Sequence, residues 1–285
     1  MRARANVPSF TIFIINYNMS INLFDILLEQ LNGPKAIILA GAPGAGKGFI
    51  LRGLDLGDLK VLNVDNDYIE NLRKANVSLD LKNATPEERS KSAIAMAAAN
   101  KEFKGKVQDT IEGKQSFILD GTAASLNQTT KLKNQLEEAG YDVFMLYVYT
   151  DLERSLKQNQ DRFEKSGGED RSLAPAIVMS TWKSVTKNYN PYKDIFGDNF
   201  VSVSNTLEDE KLSNLDDIVD MYLKPFKPQN TKPKTPAQQA RSDKRKKQDA
   251  MEISALLKDE NVADIINNSV SREEAQQKIK SFITK

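Results

Sequence analysis

The chain contains no cysteine and no histidine. The first absence excludes disulfides and thiolate nucleophiles, the second excludes an imidazole base, and together they remove the usual zinc ligand sets. Acid–base chemistry is left to carboxylates, lysines and arginines, with whatever metal they hold. Long apolar runs are also missing. The strongest near the N-terminus, residues 10–15, falls far short of the roughly 20 residues that cross a bilayer, and no clean small-residue cleavage site follows it. The expectation is a cytoplasmic chain without a membrane partner. No sign of charge dominates either: 40 Lys and Arg stand against 39 Asp and Glu. No chain-wide field draws the protein to nucleic acid, so any basic patch is local.

What is present is enough apolar material, in 285 residues, for one α/β domain with additions. Short apolar runs at 36–40, 60–64, 116–119, 142–149 and 199–203 read as buried strands. Between them, 47–54, 86–112, 125–139, 152–165 and 174–188 carry helical spacing and polar or glycine-containing ends. Such alternation predicts an α/β three-layer sandwich around a parallel five-stranded sheet, closed by a helix at 212–222. Four segments follow: an N-terminal extension over 1–18, the main domain over 19–223, a basic Pro- and Lys-rich linker over 224–248, and a small helical tail over 249–285. In the tail, Ile253, Leu256, Ile265, Ile266 and Ile279 recur at helical spacing, and Ser271 with Glu274 forms a capping box. Those apolar faces could pack on the main domain, pair with a second copy or dock a protein partner.

The first strand runs straight into Gly41, Ala42, Pro43, Gly44, Ala45, Gly46, Lys47 and Gly48. This is G-x-x-x-x-G-K in the strand-then-helix setting the motif needs. Glycines there permit a backbone that turns successive N–H groups toward phosphate oxygens, the following helix adds its positive dipole end, and Lys47 reaches the β- and γ-phosphates. ATP with Mg²⁺ is the ligand expected. One position departs from the pattern: Gly48 stands where a Ser or Thr normally holds the metal. The metal is then left to phosphates, water and distant carboxylates, with Asp120 the candidate ligand.

Carboxylates occur at strand ends, where open α/β sheets bind ligands. Asp65 and Asp67 follow the second strand ahead of a helix read over 68–74, and either caps that helix or suits the base that takes a proton from an attacking hydroxyl. Asp120, Gly121 and Thr122 end the third, with Thr122 placed to hydrogen-bond an acceptor. Arg154 and Arg162 are eight residues apart, hence on one helical face, and Arg171 follows the glycines at 167 and 168; these three suit a closing lid over the γ-phosphate. Trp182, Tyr189 and Tyr192 read as core.

Taken together, G-A-P-G-A-G-K, D-N-D-Y, L-D-G-T and the spaced arginines make residues 35–205 resemble the zeta-toxin and polynucleotide-kinase-like group of P-loop kinases, including related phage kinases. The resemblance implies a nucleotide kinase-like fold with strand order 2-3-1-4-5 and γ-phosphoryl transfer to a hydroxyl. That hydroxyl belongs to a nucleotide sugar in zeta toxins and to a 5′ end in polynucleotide kinases. It matches the zeta-toxin base to Asp67 and the polynucleotide-kinase base to Asp65, the acid of the E/D-G-T motif to Asp120, and the lid arginines to Arg162 and Arg171. A different class stays open: an ATP-binding switch or inactive kinase that recruits a partner through its tail, which Gly48 favours. Arg241, Lys244, Arg245, Lys246 and Lys247 could hold a nucleic-acid acceptor, but no aromatic residue is interleaved for stacking, as a solvated spacer would also have it.

Overall fold

Five apolar residues after Lys35 form β1 (Lys35–Ala40), and every residue of the strand is buried. A strand with no solvent face requires cover on both sides, which is the setting of a parallel sheet in an α/β sandwich. The computed structural model describes residues 33–52, 59–167, 170–206, 215–223, 234–258 and 260–284. In it, β1 is the centre of a five-stranded sheet of order β2-β3-β1-β4-β5. The other strands are β2 (Lys60–Leu62), β3 (Phe117–Leu119), β4 (Asp142–Tyr149) and β5 (Phe200–Ser204). All neighbours are parallel, with Ile38 opposite Leu119 on one side and Met145 on the other. The expected strand order is the one found.

Period-two alternation sends the strand residues to two cores. One face carries Ala36, Ile38, Met145 and Tyr147, packed against Leu136, Tyr189, Tyr192 and Ile265; the other carries Ile37, Leu39, Leu146 and Val203, packed against Ile50, Ala275 and Ile279. The helices are α1 (Lys47–Leu51), α2 (Val64–Lys74), α3 (Pro86–Glu112), α4 (Leu126–Glu138), α5 (Leu152–Lys165), α6 (Pro175–Lys187) and α7 (Tyr189–Phe196). Beyond β5 come α8 (Leu215–Ile218), a π-helical turn (Val219–Leu223), α9 (Pro236–Leu257), α10 (Glu260–Asn267) and α11 (Arg272–Thr284). Helix α3 begins where the sequence says it should: Thr85 and Glu88 form a reciprocal capping box with Pro86 at the first position. Trp182, Tyr189 and Tyr192 are buried as expected.

Three expectations shift. Helix α2 starts at Val64, directly after β2, so Asp65 and Asp67 lie in its first turn and not in a loop before a helix at 68. Helix α7 was not foreseen, because Pro191 within it obscures the helical period. The basic segment expected as linker over 224–248 enters a helix at Pro236, again through a capping box, Thr235 with Gln238. The expected extension over 1–18, residues 224–233 of the linker and residues 212–214 of the closing helix lie outside the described residues. The tail's apolar positions are in the core: Ile253 joins Trp182 and Leu152, Ile265 lies against one sheet face, and Ala275 and Ile279 against the other.

Candidate active site

Between β1 and α1 the chain must reverse within six residues, and glycines make this possible. Gly44 and Gly46 take left-handed backbone angles, with φ of 77° and 89°. At Gly44 space is short as well, since a Cβ there would lie 2.9 Å from the Ser155 carbonyl. The loop is held from outside. The Gly41 amide donates to the Thr122 carbonyl at 3.1 Å, the Ser155 hydroxyl to the Pro43 carbonyl at 2.6 Å, and the Asn205 amide group to the Ala45 carbonyl at 2.9 Å. With the Pro43 and Ala45 carbonyls engaged by these partners, the loop leads into the N-terminus of α1, whose dipole favours phosphate. Lys47 Nζ curls back onto the Gly41 and Ala42 carbonyls at 3.0 and 3.3 Å. Burial lowers its pKa, opposed by the charges of Asp120 and Asp65.

The wall of the cleft facing the phosphate loop is built around Asn63, the residue that caps α2. Its side-chain oxygen accepts from the Asp65 amide at 2.7 Å, while its Nδ2 donates to Asp120 Oδ2 at 2.8 Å. One side chain thus ties the Asp65 backbone to the Asp120 carboxylate. Asp120 is pushed above the ordinary carboxylate range by burial, opposed by Lys47 and by the Asn63 hydrogen bond.

Helical geometry then separates the two aspartates of D-N-D-Y. Residues two apart on a helix point about 200° away from each other. Asp65 faces the phosphate loop, and Arg171 Nη2 donates to its Oδ1 at 2.6 Å. Asp67 points the other way, buried against α3 and ion-paired with Lys106. A cleft of about 790 Å³ is lined by the loop, Asn63, Asp65, Asp120, Thr122, Arg154, Arg162 and Arg171; Asp67 is not among the lining residues. The expectation that Asp67 shares the site is therefore not met by the geometry.

The three arginines differ. Arg162 lines the cleft and is paired with Asp170. Arg154 donates to the Thr206 carbonyl at 3.1 Å. Arg171 is buried, with its guanidinium 5.5 Å from the centre of the Tyr68 ring. Its neighbour Ser172 is stitched to the segment between α2 and α3: the Ser172 amide donates to the Leu79 carbonyl at 3.1 Å, and its hydroxyl donates to Asp80 at 2.8 Å and accepts from the Lys82 amide at 3.1 Å. Arg171 thus stands on backbone tied to the segment between α2 and α3, in place of the free lid that the glycines suggested. Sequence reasoning passed over Lys157, Gln158, Asp161 and Lys165, which also line the cleft from α5. Lys157, Gln158 and Lys165 stand three or four residues from Arg154 or Arg162, and Asp161 seven from Arg154, which was the available signal. With its amide oriented to satisfy both ends, Gln158 donates to the Gly44 carbonyl at 3.0 Å and accepts from Arg154 Nε at 3.1 Å.

A divalent ion fits these residues in a restricted way. No group of three or more acidic ligands exists among the described residues, yet Asp65 and Asp120 line one cleft. One carboxylate, Asp120, suffices for Mg²⁺, which keeps waters and takes phosphate oxygens as further ligands. A buried carboxylate whose pKa is raised is what a neighbouring cation would relieve. At Gly48 a Cβ would meet nothing within 4 Å, so the missing hydroxyl leaves open space where the usual ligand would stand.

A parallel sheet of order 2-3-1-4-5, a glycine loop ending in Lys47 and facing acids define a P-loop phosphotransferase. The Zeta toxin family model matches residues 23–191, more than half of the chain, and the chain belongs to that family. Among solved structures it is similar to that of the PezAT toxin-antitoxin system of Streptococcus pneumoniae, at 16% identity and a TM-score of 0.48, covering 85% of this chain and 98% of that one. It is also similar to the AvrRxo1-ORF1:AvrRxo1-ORF2 complex with ATP, at 17% identity and 0.47 over 90% and 82%. A third likeness is to the Pnkp1/Rnl/Hen1 RNA repair complex, at 18% and 0.42 over 56% and 46%. No curated protein sequence matches. Among the described residues no helix is long and apolar enough to cross a membrane.

Proposed function

We propose that the chain transfers the γ-phosphoryl group of ATP to a hydroxyl of a nucleotide-type acceptor, a nucleotide sugar before a polynucleotide 5′ end, with Asp65 as the base. The observation that carries the reading is the convergence of Lys47, Asp65, Asp120 and Arg171 on one cleft while Asp67 is engaged elsewhere. The loop amides hold the β-phosphate, Lys47 leaves its carbonyl partners for the β- and γ-oxygens, and Arg162 and Arg171 face the charge that spreads over the transferring group. Asp65 accepts the acceptor's proton as the acceptor oxygen bonds to the γ-phosphorus and the bond to the bridging oxygen breaks, leaving ADP. Asp120 is the residue that would hold Mg²⁺, which would supply charge neutralisation at the phosphates when bound. Thr122 and Lys157 lie where an anionic acceptor would enter.

A nucleotide sugar is favoured by family membership, and the near-neutral chain gives no field for a polynucleotide. Transfer of labelled γ-phosphate to a panel of nucleotide sugars, nucleosides and 5′-hydroxyl oligonucleotides tests this directly. Label on a nucleotide sugar, lost in Lys47→Ala, is expected; label confined to oligonucleotides would replace the acceptor. Tight ATP binding with no acceptor-stimulated turnover would instead support the switch reading, for which Gly48 is the motive. Against that reading, most of the tail's apolar residues are already covered by the domain, with Met251 left exposed.

A further inference from the structure

Helix α1 is the element that presents its N-terminus to the nucleotide phosphates, and it is only five residues long. One turn of helix does not hold itself in water, and its last carbonyls need partners. Those partners come from more than 200 residues downstream. Arg272, the first residue of α11, donates from Nη2 to the Arg52 carbonyl at 2.7 Å, and Gln276, one turn on, donates from Nε2 to the Ile50 carbonyl at 2.9 Å. The Arg272 guanidinium also stacks 4.2 Å from the centre of the exposed Phe49 ring. Beneath these contacts Ala275 and Ile279 share a core cluster with Ile50 and Leu51. A cation at the C-terminal end of α1 complements its dipole, whose positive end faces the phosphate loop.

We infer that Arg272 and Gln276 are positioning residues for the nucleotide, a clamp by which the C-terminal helix sets the geometry of the phosphate-loop helix and hence the affinity for the triphosphate. Phe49, unexplained by phosphate binding, is the platform on which the clamp rests. The tail is then a working part of the nucleotide site. This rests on the reading of the loop as an ATP site.

The test is calorimetric titration of the full chain with ATP for wild type, Arg272→Ala, Gln276→Ala, Arg272→Lys and Lys47→Ala, beside amide exchange over residues 47–52 and thermal melting of each. The expected result is a rise in Kd of about 5-fold or more in the two alanine variants, faster exchange in α1, and partial recovery in Arg272→Lys, which keeps the charge but loses the planar stack. Variants that melt early yet bind ATP like wild type would show a role in stability alone and overturn the inference while leaving the nucleotide site intact. A wild-type chain whose ATP binding is absent, or is unchanged by Lys47→Ala, would overturn the nucleotide reading itself and the clamp's purpose with it.

Discussion

The phosphate side and the acceptor side of the cleft are made of different material. On the phosphate side the functional groups are backbone amides and one lysine within a single stretch, 41–48, and outside residues such as Ser155 and Asn205 only hold its carbonyls. On the proposed acceptor side, the groups facing the cleft are side chains drawn from three places: Asn63 and Asp65 at the start of α2, Asp120 just after β3, and Arg171 from the segment after α5. A backbone cradle survives many substitutions outside its glycines. A set of facing charges depends on each member, since a buried charge deprived of its partner is costly.

The largest expected contrast sets Asp65 against Asp67. Asp65→Asn should lower phosphoryl transfer about 10²- to 10⁴-fold with ATP affinity retained. Asp67→Asn should leave turnover within a few-fold and cost about 1 kcal/mol of stability through the Lys106 pair, whose lysine is half exposed. Equal losses of turnover in the two variants would erase the distinction between cleft and buried pair. Next in size, Ile279→Ala empties a fully buried site beneath the phosphate side. A loss of about 2–5 kcal/mol in denaturant unfolding is expected, against near-zero change if the tail were a detached appendage.

Asp120 tests whether the acceptor side is built for charge at the expense of the empty fold. Its folded-state pKa lies above the ordinary 3.8, so the native state holds the proton more tightly than the unfolded chain does. Its contribution to stability is therefore greatest below pH 3.8 and falls as pH rises through the folded pKa. Asp120→Asn should abolish that fall and raise the melting temperature at pH 7 while reducing transfer; a lower melting temperature at pH 7 would refute the sign. Smallest is Gly48→Ser. The position is open, so stability should change by no more than about 0.5 kcal/mol in either direction. The informative readout is Mg²⁺ dependence: a lower Mg²⁺ requirement would show that the hydroxyl can be restored to the phosphate side without touching the acceptor side.

Much of this molecule was legible before folding. The five strands, the boundaries of α3 and α5 and the loop at 41–48 are local patterns, in which residues close in sequence decide the outcome. The fate of Asp65 and Asp67 was not, because it depends on where α2 begins: a helix starting at Val64 in place of 68 puts two residues of apparently equal rank on opposite sides. Arg171 was seen as a cleft residue, but the glycines before it suggested mobility, and the stitching of Ser172 to residues 79–82 spans some 90 positions of sequence. Asn63 carried a weak signal, a capping residue at a strand–helix junction, that pointed to a helix start and not to its second bond with Asp120.

The sequence by itself determined the class of protein, because a phosphate cradle is a property of contiguous backbone: glycines at three positions, a lysine after them, a strand before and a helix beyond. Only the tertiary structure decided which carboxylate faces the phosphate loop and where the C-terminal helices pack. An apolar helix face states that it will be covered and is silent about by what. Ile265 and Ile279 found opposite faces of the same sheet, and Arg272 found the end of α1, through contacts between parts of the chain whose separation no local pattern encodes.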